Sequence, residues 1–295
     1  MPITLPEGSV AAERYRAAGV PVATTRRGRG LDTRALSVLV VNLMPNALET
    51  ETRLLRLLAD SPLQTEVALL RGLDGGGAAG EGGLLDHQRG FDVVRDATYD
   101  GCVCVAARAV AAADLAAGAF PGAGPSFDQF AAFVEWSTVR VRASLFIGWA
   151  AEAALGHIHG LLGRWQAEPV VAVVPHRVAG SPLVAAQDRT VAVPLARASR
   201  FTCAQVEQAP GLEVLVDHVE HGAHLIHEPA ARRLYALDHI ESSAGMFARA
   251  LRRRHGADAA EAAEGVRPGQ AWRSYAHLLF AEWLSQDVHG AGRGE

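Results

Sequence analysis

The chain alternates short, almost unbroken apolar runs with stretches whose apolar residues recur at helical spacing. Ser37-Val38-Leu39-Val40-Val41-Asn42-Leu43-Met44 is the first such run; Pro45 stops it, and it reads as a central strand of a parallel sheet. The following stretch, 47–59, sets Leu48, Leu54, Leu55, Leu57 and Leu58 mostly on one face, the pattern of an amphipathic helix. A short helical pattern covers Val10 to Ala18, strands are expected at Gln64–Leu70 and Cys102–Val105, and a helix at 126–137. Strands are also expected at Val170–Val174, Leu183–Ala186 and Thr190–Pro194. Leu212–Val219 and Ala223–His227 read as a hairpin around Glu220-His221-Gly222. Arg233–Leu237 reads as the last core strand, running into Asp238-His239-Ile240-Glu241 and a helix over 243–255. Alternating strands and helices predict an α/β protein with a mostly parallel sheet flanked by helices. The expected organisation is an N-terminal arm over 1–34, one α/β domain over 35–285 and a flexible tail over 286–295.

One stretch organises the rest. Ser144-Leu145-Phe146-Ile147 runs straight into Gly148, and Trp149-Ala150-Ala151-Glu152-Ala153-Ala154-Leu155 has helical spacing. That is a buried strand, a sharp turn and a helix opening at the turn. In α/β enzymes the residue at such an elbow projects above the sheet, where a Ser or Cys nucleophile often stands. Here it is Gly148, which has no side chain to attack with.

Composition narrows the possibilities without naming one. A chain of 295 residues with 49% hydrophobic and 20% charged residues is ordinary for a globular protein with a substantial core. A net charge of -4 offers no general attraction to nucleic acid or to an anionic membrane. No apolar run approaches the ~18–20 residues that span a bilayer. The three Cys, Cys102, Cys104 and Cys203, are too few and odd in number for a disulfide framework, and no signal-peptide pattern opens the chain, so a cytoplasmic location is expected. All 28 basic residues are Arg, which excludes any step through a Lys amine.

Other candidate features weigh toward structure. Glycines over 72–83 lack a strand–helix fingerprint and read as a loop in preference to a phosphate cradle. Arg26-Arg27-Gly28-Arg29 reads as a solvated turn more than an anion site. Cys102 and Cys104 share one face of a strand, where core packing outweighs a redox or nucleophilic role. His157, His159, Glu168 and His176 do not have metal-site spacing, so no metal is expected.

Several stretches, in order, resemble the homoserine O-succinyltransferase/O-acetyltransferase family of methionine biosynthesis. They are Met1-Pro2-Ile3, Val41-Asn42-Leu43-Met44-Pro45, Glu49 to Leu58, Ser61-Pro62-Leu63-Gln64, Leu69-Leu70-Arg71, Tyr99-Asp100-Gly101, Glu135-Trp136-Ser137, Leu145 to Ala150, His239-Ile240-Glu241 and Ala271-Trp272-Arg273-Ser274. The resemblance implies a class I glutamine amidotransferase-like, flavodoxin-like fold and a homodimer. It also implies ping-pong acyl transfer from acyl-CoA to the hydroxyl of homoserine, with no bound cofactor. By position it makes His239 the base and Glu241 its orienter. Arg253 falls near the family's carboxylate-binding Arg, and Ser199-Arg200 matches a Ser-Arg pair of its substrate region. Trp149, next to the elbow, joins these as a substrate-binding candidate.

The departures cluster at the acyl chemistry. Gly148 stands where the resemblance places the nucleophilic Cys. Asn46-Ala47 replaces a Lys, Val105-Ala106-Ala107-Arg108 replaces a Thr-Gly-Ala-Pro loop, and Glu152 replaces a Gln. A segment that would read Lys-Leu-x-Gly-Val-Tyr/Phe-Glu-His is Pro169 to His176 and keeps little beyond the His. Without a thiol no acyl-enzyme forms at 148, and loss of a triad nucleophile costs about 10⁶-fold in turnover. Glu152, one helical turn on, is either a new acid/base or an ion-paired or solvated carboxylate, with Arg108 as a possible partner. The first expectation is a repurposed enzyme, with a specialised biosynthetic pathway as its natural home, in which His239 and Glu241 assist non-covalent acyl transfer, or a related step, on a homoserine-like amino acid. The alternative is a catalytically inactive relative that binds a ligand or a partner protein.

Overall fold

The computed structural model describes residues 2–5, 10–24, 34–45, 47–70, 72–73, 88–89, 91–107, 127–255 and 272–290. The first half of the chain forms β1 (Ile3–Leu5), α1 (Val10–Ala17), β2 (Val22–Thr24), β3 (Leu36–Asn42), α2 (Ala47–Ala59), β4 (Thr65–Leu70) and β5 (Gln88–Arg89). It continues with α3 (Phe91–Val94), β6 (Tyr99–Ala106), α4 (Phe127–Arg140), β7 (Val141–Gly148) and α5 (Trp149–His159). The second half forms β8 (Arg164–Val178), β9 (Thr190–Arg200), α6 (Cys203–Glu207), β10 (Glu213–His218) and β11 (Gly222–Glu228). It ends with β12 (Arg233–Ala236), α7 (Ala244–His255) and α8 (Arg273–Trp283).

The described strands make one sheet of order β2-β1-β4-β3-β6-β7-β12-β11-β10-β8-β9, with β5 beside β4. Pairing is parallel from β2 through β12 and antiparallel from β12 to β9. The pleat explains why the central runs are apolar throughout. Val38, Val40, Val103, Val105, Leu145 and Ile147 pack to one face, against Leu54, Leu58, Phe280 and Trp283 of α2 and α8. Leu39, Val41, Cys102, Cys104 and Phe146 pack to the other, against Phe130, Phe133, Ala150 and Ala154 of α4 and α5. Both faces are thus covered by helices, so alternating residues are apolar in both directions.

The structure departs from the sequence expectations at several places. Leu183–Ala186 is not a strand; Pro182–Val184 is a single 3-10 turn with Pro182 in its first turn, where a missing N–H costs nothing. Its two apolar residues are buried without pairing. β8 and β9 are much longer than their apolar segments, because this edge hairpin is partly exposed and carries polar residues. In the expected arm, β1 pairs with both β2 and β4, and Ile3, Leu5 and Tyr15 join the core. Residues 286–290, expected to begin a flexible tail, are packed: Val288 is buried and Asp287 Oδ2 lies 3.4 Å from His227 Nε2. Arg26–Arg29 and the glycines of 74–83 lie outside the described residues. No helix among the described residues is long and apolar enough to cross a membrane.

Candidate functional site

The sheet register builds the site. Ala106 of β6 lies opposite Gly148, and Ala236 of β12 lies opposite Ile147, so three parallel strands end level with one another. In open α/β sheets, ligands bind beyond such carboxyl ends. Gly148 makes the turn at φ 67°, ψ -130°, a left-handed backbone that side-chain-bearing residues adopt only under strain, and α5 starts at once. The chain leaving β12 then folds across the front of this elbow. Ile240 N–H donates to the Asp238 carbonyl and Ser242 N–H to the His239 carbonyl, a tight turn that presents His239 and Glu241 together.

His239 Nδ1–H donates to Glu241 Oε1 at 2.8 Å. Glu241 is 3% exposed, and its Oε2 has no hydrogen-bond partner among the described residues. Burial works against a charged His239, but Glu241, with smaller contributions from Asp238 and Glu152, outweighs it and raises the imidazole pKa above its ordinary value. With Nδ1 committed to Glu241, the neutral ring keeps its lone pair at Nε2.

That ring fills the space in front of the elbow. A Cβ built on Gly148 would lie 2.5 Å from His239 Nε2, 2.6 Å from His239 Cε1 and 2.7 Å from the Ala106 carbonyl oxygen. No thiol or hydroxyl hydrogen-bonds to His239 among the described residues. Cys102 and Cys104 are buried on β6, where desolvation pushes both thiols well above their usual range and so keeps them protonated. Ser144 is buried within the sheet.

The other candidates divide. Trp149 packs on Phe130 at a ring separation of 5.0 Å and, with Glu152, Ser199, Phe201 and Trp165, lines a cavity of about 460 Å³ beside α5. Ser199 Oγ donates to Glu152 Oε1 at 2.5 Å, which joins two residues that the sequence pattern could not connect. Arg200 turns away, its Nη2 donating to the Val219 carbonyl in the β10–β11 hairpin. Arg253 is on α7, but its side chain lies outside the described residues, as does Arg108. His157 Nε2 lies 3.3 Å from Glu135, and His159 Nε2 lies 3.3 Å from Glu228.

Sequence reasoning missed a buried polar network behind the site. His224 Nδ1–H donates to Asp238 Oδ2 at 2.9 Å, and Tyr275 O–H donates to His224 Nε2 at 3.1 Å. Arg197 Nε lies 3.5 Å from Asp238 Oδ1, and both side chains are almost wholly enclosed. Burial alone would favour a protonated Asp238, but Arg197, His224 and His176 outweigh it and hold the carboxyl below its usual range. Burial also keeps His224 below its ordinary pKa and neutral. A fixed negative charge is therefore enclosed one residue before His239. A signal was present in Ala223-His224-Leu225-Ile226-His227, since imidazoles in an otherwise apolar strand need partners.

A family model described as homoserine O-succinyltransferase matches residues 2–291. The chain is 31% identical to a homoserine O-acetyltransferase of Synechococcus elongatus over an alignment 313 positions long, gaps included, covering 98% of each. It is 30% identical over 311 residues to a homoserine O-succinyltransferase of Shewanella amazonensis, covering 98% of this chain and 93% of that one. Its fold is similar to that of a glutamine amidotransferase from Thermotoga maritima, with a TM-score of 0.55 at 10% identity, covering 87% of this chain and 99% of that one.

Proposed function

The chain belongs to the homoserine O-succinyltransferase family, and on that footing we propose that it moves an acyl group from acyl-CoA directly to the hydroxyl of a homoserine-like amino acid, with no acyl-enzyme. The observation that carries this reading is the His239–Glu241 pair set against an elbow that has no side chain, with Nε2 uncommitted among the described residues.

In this mechanism the acceptor hydroxyl hands its proton to His239 Nε2 as its oxygen bonds to the thioester carbonyl carbon. Glu241 holds the imidazolium that forms. The oxyanion of the tetrahedral intermediate lies near the start of α5, where helix polarity favours negative charge. The C–S bond then breaks, and the imidazolium returns its proton to the departing thiolate. Base assistance of this kind contributes about 10²–10⁴-fold. Trp149, Glu152 and Ser199 form a wall for the acceptor, Arg253 is the candidate for its carboxylate, and Glu152 is the candidate second acid/base. The protein works as a cytoplasmic homodimer, consistent with a biosynthetic role.

Initial-rate kinetics with acetyl-CoA or succinyl-CoA and a panel of homoserine-like acceptors test the proposal. Intersecting double-reciprocal lines, lost in His239→Gln, are the expected result. Parallel lines, the mark of a covalent intermediate, would overturn it. Binding of acceptor without turnover across the panel would favour the non-catalytic relative instead.

A further inference from the structure

The base of the site hangs on a short turn. β12 ends at Ala236, and His239 lies between it and α7. Within the turn, Ile240 N–H donates to the Asp238 carbonyl at 3.0 Å and Ser242 N–H to the His239 carbonyl at 3.1 Å. Each such bond contributes about 0.5–1.5 kcal/mol net, whereas ordering one backbone residue costs about 1–2 kcal/mol. Side chains must therefore hold the turn. On the side leading to α7, the Trp272 indole donates to the Ser242 carbonyl at 3.0 Å. On the side leading from β12, the anchor is Asp238.

Asp238 is gripped from several elements at once, and its side chain is fully enclosed. His224 of β11 donates to it from Nδ1 at 2.9 Å. Tyr275 of α8, donating to Nε2 at 3.1 Å, fixes His224 in that tautomer. Arg197 of β9 lies 3.5 Å from the other carboxylate oxygen, and its Nη2 donates to the His221 and Ala223 carbonyls, each at 3.0 Å. His176 of β8 packs on His224, with ring centroids 5.7 Å apart. The residue next to the base is thus tied to β9, β11 and α8 together.

An apolar anchor would cost less. Enclosing two ions costs several kcal/mol each, and apolar replacements of a buried pair are often neutral or stabilising. Hydrogen bonds, however, fix direction as well as distance. The site needs that precision. His239 Nε2 lies 2.5 Å from the ideal Cβ position of Gly148, so the ring stands hard against the elbow. Misplacing a reacting group by about 1 Å costs about 10²-fold. The Asp238 charge also reaches the base: burial opposes a charged His239, and Asp238 follows Glu241 among the charges that raise its pKa.

We propose that Asp238 is a positioning residue for His239: gripped by His224, Tyr275 and Arg197, it sets the turn so that Nε2 stays in front of the elbow. Its effect on turnover rests on the acyl-transfer reading; its effect on the ring does not.

Asp238→Asn and Tyr275→Phe test this in the full chain. Tyr275→Phe removes a single hydroxyl and serves if Asp238→Asn does not fold. Each should lower kcat by at least about tenfold, with KM for the acceptor changed by less than about twofold. In histidine-labelled protein, with the His239 ring signals identified by their loss in His239→Gln, NMR should show one sharp set in the parent and broadened or doubled signals in both variants. Asp238→Glu keeps the charge but lengthens the anchor by a methylene, and should lower kcat as well. Sharp, unmoved His239 signals in a folded variant, or an unchanged kcat, would overturn the proposal. If the parent itself turns over no acceptor, the acyl-transfer reading falls, and the ring signals alone decide the role of Asp238.

Discussion

The imidazole of His239 stands where a side chain on Gly148 would begin, with Nε2 2.5 Å from the ideal Cβ position. The Ala106 carbonyl, 2.7 Å from the same point, closes the other side and belongs to a paired strand that yields little. Restoring a thiol is therefore not a simple reversal. Gly148→Ala and Gly148→Cys should each lose about 1–3 kcal/mol through overpacking. Denaturant unfolding measures that loss. Gly148→Cys should also show no burst of acylation, because its side chain displaces the base it would need.

His239 and Glu241 should separate in their pH behaviour. His239→Gln is expected to lower kcat/KM by about 10²–10⁴-fold on the plateau where His239 is neutral, the worth of a general base, with the gap narrowing down the acidic limb. Glu241→Gln removes the largest charge that raises the His239 pKa. The acidic limb of the kcat/KM profile, where His239 must lose its proton, should then move to lower pH. An unmoved limb would show that another group titrates there.

Asp238 extends the same electrostatics into the core. In Asp238→Asn, Arg197 loses its buried counter-charge, and breaking such a pair costs about 3–5 kcal/mol. Because the folded-state pKa of Asp238 is depressed, its stabilisation is present above the unfolded carboxylate value and fades as pH falls through the folded one. The variant should therefore be much less stable than the parent at neutral pH, with the gap narrowing in strong acid. Urea unfolding at several pH values measures it.

His176 gives the opposite kind of group. Its side chain is enclosed, and burial, reinforced by the neighbouring His224, lowers its pKa from 6.5 to about 4. Between those values the unfolded chain binds a proton that the folded chain does not, so stability falls as pH falls from 6.5 toward 4. The shift corresponds to about 3 kcal/mol at most. His176→Gln should flatten this part of the stability–pH curve, and thermal unfolding across that range would show it.

Much of the fold was legible because both sheet faces are covered. Val38 to Val41 and Leu145 to Ile147 must be apolar in every position, and such runs stand out. The 47–59 helix was equally plain, since its leucines face the core while Arg53 and Arg56 do not share that burial. Edge elements were harder. Ile3–Leu5 and Val22–Thr24 are strands of three residues, too short for periodicity to register. Pro182–Val184 is apolar because it is buried, not because it pairs.

At the site, the elbow and the His-x-Glu spacing were local in sequence and could be read. The bond from Ser199 to Glu152 joins residues 47 apart, and the Tyr275–His224–Asp238 chain joins residues up to 51 apart. No local pattern encodes such contacts. Several stretches of the family resemblance hold the fold: Asp100 takes the Ser37 N–H, Glu51 takes the Tyr15 hydroxyl, and the Trp136 indole donates to Arg95. They report shared architecture more than shared chemistry.

The direct test of transfer without an acyl-enzyme is intact-protein mass spectrometry after mixing with acetyl-CoA or succinyl-CoA, with and without an acceptor that turns over. The protein mass should stay unchanged in both cases, while acylated acceptor accumulates and His239→Gln abolishes it. An acyl increment on the protein that disappears when acceptor is added would contradict it.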